Sequence, residues 1–169
     1  MQCVYCRLPD GPKGYDNFGV DHYLPKRDFP ELARLYSNLF YACNCCNRRK
    51  GRFWPNPDEL RKGRFIPNPC DHVMFDHLRY RGALVNPRSE AGKQADKILD
   101  FNDDESIKYR ELILDMIEYT ESQKRLVEQN LHIINGRIAI QPTPQLIAEK
   151  QAAEKNRARV VANLRRLGA

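Results

Sequence analysis

The stretch YACNCCNRRKG, residues 41–51, repeats a Cys-x-x-Cys spacing that first occurs in MQCVYC, residues 1–6. Each cysteine pair can present two thiolates to one metal ion, and four thiolates make a tetrahedral sulfur site that suits Zn²⁺. One pair would be a weak signal, whereas two pairs at this separation predict a structural zinc site. The predicted ligands are Cys3, Cys6, Cys43 and Cys46.

The remaining cysteines leave alternatives to this ligand set. A redox pair or buried idle thiols would also explain Cys-x-x-Cys, and Cys45 offers a second spacing from Cys43. One intervening residue makes an awkward chelate turn, so we expect Cys45 to be a packed thiol. Cys70, His72 and His77 raise the possibility of a second metal site, but a fourth ligand is missing, and we expect a structural role for them.

Length and composition indicate a soluble globular protein. The chain has 169 residues, 41% of them hydrophobic and 30% charged, which fits one domain or a small domain with a helical extension. Its apolar runs fall short of the roughly 18 residues that a membrane span needs. The first residues lack the apolar core of a signal peptide. We therefore expect a cytoplasmic protein, whose cysteines stay reduced or bind metal.

The charge distribution indicates where a polyanion would bind. The formal net charge is +6, and residues 1–54 carry nine Lys and Arg against five Asp and Glu. Residues 100–131 are acidic, and residues 148–169 are basic again. This asymmetry predicts that the N-terminal half faces a polyanion and that the acidic segment faces elsewhere.

The first half of the chain has the pattern of a hairpin followed by a helix. FGVDHYLPK, residues 18–26, predicts a strand that ends at Pro25, and a second strand is expected to run into Cys43. A helix is expected to start at Asn44. Prolines then predict an extended, irregular segment, namely Pro55, Pro57, Pro67 and Pro69.

The second half is expected to contain one more hairpin and two helices. Residues 72–85 predict a hairpin that turns near Arg81 and Gly82. Apolar residues at helical spacing predict a long helix beyond Asn102 and another after Pro144. We interpret both helices mainly as core packing rather than as partner-binding elements.

A second set of polar residues lies between and beside the cysteine pairs: Asp21, His22, Asn38 and Asn47. His22 precedes Asn38 by 16 residues, and Asn38 precedes Asn47 by nine. In this order, together with CVYC, VDHYLPK, SNL and CNCCNRRKG, roughly residues 1–54 resemble the HNH endonucleases of the ββα-metal fold. Both spacings are typical of that family, and flanking zinc knuckles recur in it.

The resemblance implies hydrolysis of a phosphodiester bond that leaves 5′-phosphate and 3′-hydroxyl ends. His22 would be the general base, because the ordinary pKa of imidazole lies near neutrality. Asp21 and Asn47 would hold a catalytic Mg²⁺ or Mn²⁺, although strand alternation turns Asp21 away from His22 unless the strand is bent or twisted. Asn38 would brace the loop between the two strands.

Basic residues beside these positions predict contacts with phosphates. The candidates are Lys26, Arg27, Arg48, Arg49, Lys50 and Arg52. Such contacts set position and salt dependence rather than sequence preference. A solvated basic face is the alternative explanation. Phe53 and Trp54 would either stack on a base or form an apolar lid.

Residues 65–85 and the helices beyond them also resemble bacterial anti-phage nucleases of the Septu type. That resemblance implies an ATPase partner, which the long helix would bind if it does not merely complete the core. The predicted fold class is α+β: an HNH core with its zinc site in residues 1–54, a proline-rich strap and hairpin in 55–102, and a helical region in 103–169. A non-catalytic zinc-dependent nucleic-acid-binding module and a nuclease active only within an assembly remain open, as does DNA against RNA.

Overall fold

A two-stranded antiparallel sheet followed by a helix occupies the N-terminal part of the chain. The computed structural model describes the backbone of residues 1–169 and every side chain except those of Lys13 and Tyr15. Helix α1 (Asp10–Lys13) and a 3₁₀ turn (Tyr15–Asn17) precede strand β1 (Phe18–His22). β1 pairs with β2 (Leu39–Cys43), and helix α2 (Asn44–Lys50) follows at once.

Aromatic side chains pack around this sheet. Phe18 stacks on Tyr41 with ring centroids 4.9 Å apart, and Tyr23 meets Phe40 edge to face. Trp54 also packs edge to face on Tyr23 and on Phe29. Of the two roles predicted for Trp54, these contacts are those of an apolar lid.

The segment between the strands is held by two 3₁₀ turns, Pro30–Leu32 and Tyr36–Asn38. The second turn leads directly into β2, where His22 lies opposite Leu39 in the strand register. The loop therefore starts immediately after His22 and ends at Asn38, so its conformation decides how these two residues meet.

The rest of the first part contains three short helices and a second hairpin. In chain order these are α3 (Pro57–Arg61), α4 (Met74–His77), β3 (Leu78–Arg81), β4 (Leu84–Pro87) and α5 (Glu90–Leu99). The hairpin turns at Gly82, whose φ of +57° suits glycine, as the sequence predicted. The segment expected to be irregular contains α3, which starts with a capping box between Asn56 and Glu59.

Helix α5 was not predicted because it buries small residues rather than a stripe of large apolar ones. Its buried side is Ala91, Gly92, Ala95 and Leu99. A Cβ on Gly92 would lie 2.0 Å from the carbonyl oxygen of His77. The helix therefore packs on the backbone of α4 at a distance that only glycine allows.

The chain divides into two compact units, Met1–Leu112 and Ile113–Ala169. Helix α6 (Asp104–Ile140) begins in the first unit and ends in the second, and α7 (Pro144–Leu167) follows Thr143, whose hydroxyl caps it. The second unit is an α6–α7 hairpin with Val127, Leu131, Ile134 and Ala153 in its core.

This arrangement of helices and small sheets is the predicted α+β class. The division at residues 54 and 102 stays a prediction. Across the described part of the chain, no helix combines the length and apolar character that crossing a membrane requires.

Candidate metal centre and nuclease site

Four cysteine thiols converge beside the start of α2. The sulfur atoms of Cys3, Cys6, Cys43 and Cys46 lie within 4.8 Å of one another, and each residue is at most 5% exposed. A zinc ion with Zn–S bonds of about 2.3 Å has tetrahedral sulfur–sulfur edges of about 3.8 Å. The Cys6 and Cys43 sulfurs are 3.8 Å apart, so the cluster fits such an ion.

Local backbone structure brings the two pairs together. The amide of Cys3 donates to the carbonyl of Leu8, and the amide of Arg7, which has a φ of +59°, donates to the carbonyl of Cys3. The amide of Val4 donates to the carbonyl of Tyr41 at 3.0 Å. These bonds close the first knuckle and attach it to β2, whose last residue is itself a ligand.

The second pair spans the junction of β2 and α2. Cys43 is the N-cap of α2, and its sulfur accepts a hydrogen bond from the amide of Cys46 at 3.4 Å. The pKa of Cys43 lies below the ordinary thiol value, because neighbouring thiols, that of Cys3 first, donate hydrogen bonds to its sulfur. One member of the cluster is thus favoured as a thiolate, the form that binds metal.

The other cysteines and histidines lie outside this cluster. Cys45 is half-buried and Cys70 is exposed. His72 and His77 contact each other and Phe65 through their rings, and His77 also hydrogen-bonds to Ser89. Among the described residues, the four-cysteine cluster is the one group of three or more His, Cys, Asp and Glu side chains with a metal-binding arrangement.

The imidazole of His22 has a defined tautomer. Its Nε2 lies 3.0 Å from the carbonyl oxygen of Ala33, in the loop between the strands. Because a carbonyl oxygen can only accept, Nε2 carries the hydrogen in this contact. The neutral ring consequently has its lone pair on Nδ1, the nitrogen that can accept a proton.

Asn38 ties together both ends of the loop that follows His22. Its side-chain oxygen accepts from the amide of Leu24 at 2.7 Å, and its side-chain nitrogen donates to the carbonyls of Leu24 and Leu32. Its backbone carbonyl also accepts from the amide of Tyr23. The side chain is nearly fully buried, so these bonds replace those that water would make.

Asp21 points away from His22, as strand alternation requires, into a buried polar cluster. Lys50 donates to Oδ1 of Asp21 at 3.1 Å and to the carbonyl of His22 at 2.7 Å, and its Nζ forms an ion pair with Oδ2 of Asp21 at 3.0 Å. The Tyr5 hydroxyl donates to Asp21 at 2.5 Å. Burial raises the pKa of Tyr5, with the charge of Asp21 adding to the effect, so the phenol remains a donor.

Burial lowers the pKa of Lys50, and the ion pair with Asp21 opposes that shift. Neither Lys50 nor Tyr5 was expected in this cluster. One signal was available for Lys50: it follows Cys46 by four residues, which places both on one helix face. Sequence spacing offered no comparable signal for Tyr5.

Asn47 joins α2 to β1. Its side-chain nitrogen donates to the carbonyl of Val20, the residue before Asp21, at 3.2 Å. Amide and carboxylate oxygens are the hard donors that Mg²⁺ and Mn²⁺ prefer, so Asn47 and Asp21 fit a divalent ion by their chemistry. Such an ion would compete with Lys50 for the carboxylate.

Two of the predicted phosphate contacts have partners within the protein. Lys50 is 2% exposed and is held by Asp21, so it is not presented to a nucleic acid. The guanidinium of Arg49 binds the carbonyls of Leu99 and Asp100 and the carboxylate of Asp103. The four remaining candidates are exposed: Lys26, Arg27, Arg48 and Arg52.

Comparison with known proteins now identifies this region. The family model described as HNH endonuclease matches residues 3–53. Residues 3–53 are therefore similar to HNH endonucleases and are called the HNH segment. The match spans both cysteine pairs, β1, β2 and all of α2, and it confirms the resemblance drawn from the sequence. The HNH segment thus contains His22, Asn38 and Asn47 together with the four-cysteine cluster.

A second comparison extends over most of the chain and is not limited to the HNH segment. The chain is 29% identical over 159 residues to a protein described as Septu protein PtuB, from Bacillus thuringiensis. The alignment covers 89% of this chain and 58% of the relative, so the chain spans little more than half the length of that protein. No solved structure matches the chain significantly.

Proposed function

We propose that the protein is a metal-dependent HNH endonuclease that hydrolyses phosphodiester bonds in DNA and acts in the bacterial cytoplasm in anti-phage defence. The hydrogen bond from His22 to the carbonyl of Ala33 carries the proposal, because it places the hydrogen of the neutral ring on Nε2 and directs the lone pair to Nδ1 within a matched HNH segment. The similarity to a Septu protein supports the defence role.

His22 acts as the general base. Its Nδ1 accepts a proton from water while the water oxygen attacks phosphorus and the bond from phosphorus to the 3′ oxygen breaks. The departing oxygen gains a proton from solvent, which leaves 5′-phosphate and 3′-hydroxyl ends. A positioned base of this kind contributes about 100-fold to 10,000-fold in rate.

Asn38 positions His22 without touching the substrate. The loop between Tyr23 and Asn38 supplies the Ala33 carbonyl that selects the tautomer of His22, and the side chain of Asn38 holds that loop through three hydrogen bonds. Asn38 therefore determines where the base lies.

Two metal sites would support this chemistry. Cys3, Cys6, Cys43 and Cys46 would hold a structural zinc that fixes the start of α2. Asp21 and Asn47 would hold Mg²⁺ or Mn²⁺, which would supply positive charge to the phosphate that is attacked. The exposed basic side chains of Lys26, Arg27, Arg48 and Arg52 would bind flanking phosphates and make binding salt-dependent.

A second candidate is a nuclease that cuts only in the presence of an ATPase partner. The similarity to a Septu protein favours this possibility over a non-catalytic module. Both candidates use His22 as the general base. They differ in whether cleavage requires an ATPase partner.

The test is cleavage of a supercoiled plasmid in Mg²⁺ or Mn²⁺. We expect His22→Ala to lose about 100-fold or more of the rate. His132→Ala is the matched control, because His132 is an exposed histidine of α6 in the second unit. Circular dichroism and zinc content should be unchanged in both variants.

The outcomes separate the candidates. Equal cleavage by His22→Ala and the wild type would exclude His22 as the base. Cleavage that appears only after an ATPase from the same genomic neighbourhood is added, and that still requires His22, supports the partner-dependent nuclease. No cleavage in either case, with DNA binding retained, would leave the non-catalytic module. A parallel assay with RNA tests the choice of substrate.

A further inference from the structure

Helix α6 carries a row of exposed apolar side chains at strict seven-residue spacing within the second unit. The row, named here the heptad row, is Tyr119, Leu126, Ile133 and Ile140. These side chains are 67%, 58%, 59% and 88% exposed. Isolated exposed apolar residues are common, but a contiguous row of them marks an interaction surface.

The heptad row is separate from the face that α6 uses within its own unit. The second and third members are each followed by a residue of the α6–α7 core, namely Val127 and Ile134. The core of the hairpin is thus built from the adjacent helix face. A seven-residue apolar repeat supplies one of the two apolar rows of a left-handed coiled-coil seam, and the positions three residues further on are Ser122, Gln129 and Gly136.

The distribution of charge along the same helix indicates which molecule would cover the heptad row. Residues 113–121 contain Asp115, Glu118 and Glu121 and no Lys or Arg. Residues 122–140 contain Lys124, Arg125 and Arg137 against a single acid, Glu128. A copy of the helix running in the opposite direction would bring the acidic part of each chain opposite the basic part of the other.

We propose that the heptad row packs against the same row of a second copy of this chain, with the helices antiparallel and a two-fold axis at Leu126. Residues at equal distance on either side of the axis then face each other. Leu126 meets Leu126, Tyr119 meets Ile133, and Asp115 meets Arg137. The interface is self-complementary in both apolar packing and charge.

Sedimentation velocity over a range of micromolar concentrations tests the association. The wild type should shift from monomer to dimer, and Leu126→Glu should remain monomeric because it places two carboxylates at the axis. Leu114→Glu is the matched control, since Leu114 is 43% exposed on the same helix but outside the heptad row. Circular dichroism establishes that each variant is folded. Ile140→Glu, at the 88% exposed end of the row, should weaken the dimer without a folding cost.

Disulfide cross-linking tests the orientation. In a Cys45→Ser/Cys70→Ser background, mixing Tyr119→Cys with Ile133→Cys should give a mixed disulfide dimer. Each variant alone should give little disulfide-linked dimer. Self-linking of each variant alone would indicate parallel helices and overturn the antiparallel arrangement.

A charge exchange supplies a further check. Asp115→Arg should weaken the dimer by placing Arg opposite Arg137, and adding Arg137→Asp should restore it. A wild type that stays monomeric at every concentration would overturn the proposal, as would a Leu126→Glu variant that dimerises as strongly as the wild type. None of these measurements depends on cleavage, so the dimer and the nuclease function can fail independently.

Discussion

The Nζ of Lys50 lies 3.1 Å and 3.0 Å from the two carboxylate oxygens of Asp21, and the two side chains are 1% and 3% exposed. Two opposite charges so deeply buried stabilise each other only while both are present. The pair joins β1 to the last residue of α2 and lies directly behind His22, because Lys50 also binds the carbonyl of that residue. It therefore links the stability of the HNH segment to the position of the proposed base.

Replacing Lys50 with Met should cost about 3–5 kcal/mol in the free energy of unfolding, because it leaves the Asp21 charge buried without its partner. The double variant Asp21→Asn/Lys50→Met should recover most of that loss. Urea denaturation of the zinc-loaded proteins gives both values. A cost below about 1 kcal/mol for Lys50→Met would contradict the buried charge pair.

Removing one zinc ligand should release the ion and unfold the knuckle. We expect Cys46→Ser to bind much less than one zinc per chain and to lose helical signal, because structural zinc sites contribute directly to folding. Cys45→Ser is the matched control, since the adjacent thiol lies outside the cluster. Metal analysis after dialysis decides the matter, and zinc retained at wild-type affinity in Cys46→Ser would exclude the four-cysteine site.

Adding a methyl group at Gly92 should destabilise the first unit. A Cβ there lies 2.0 Å from the carbonyl oxygen of His77, so Gly92→Ala should cost at least about 2 kcal/mol. Gly136→Ala in α6 meets nothing within 4 Å and should instead gain about 0.5–1 kcal/mol from helix propensity. Thermal denaturation compares the two variants. Similar melting temperatures would show that α4 and α5 do not pack as closely as described.

Acid should remove the contribution that Asp103 makes to the free energy of unfolding. Burial alone would raise the pKa of Asp103, but hydrogen bonds from Arg49 and from the amide of Ser106 outweigh it and lower the pKa to about 2. Because the folded pKa lies below the unfolded value of about 3.9, the contribution is complete above about pH 4 and is lost as the pH falls towards 2.

The measurement is the difference in unfolding free energy between the wild type and Asp103→Asn. We expect on the order of 2 kcal/mol at neutral pH and a decline towards zero near pH 2. Loss of zinc in acid affects both proteins and cancels in the difference. A difference that does not change with pH would contradict the Arg49–Asp103 ion pair.

Local patterns in the sequence were sufficient for the elements of the HNH segment. Two Cys-x-x-Cys pairs indicated the cysteine cluster, and alternation together with turn residues indicated the strands. The second strand was predicted to run into Cys43 and the helix to start at Asn44. The strand period also predicted that Asp21 would face away from His22. These features depend on contacts between residues that are near in sequence or are matched by spacing.

What only the tertiary structure decided is which partners the polar side chains have. The run Arg48–Arg49–Lys50 is uniformly basic, yet Lys50 is buried on Asp21 and Arg49 is bound to residues 99–103, while Arg48 remains exposed. These three neighbours have different surroundings because successive residues of a helix point in different directions and because distant segments of the chain pack against only some of them. Helix α5 was not predicted for the same reason. Its buried residues are small because the helix packs closely on the backbone of α4, a contact between segments that sequence periodicity does not reveal. The sequence by itself determined the four-cysteine cluster and the order of the HNH motif, and long-range packing decided which charges are buried and which are exposed.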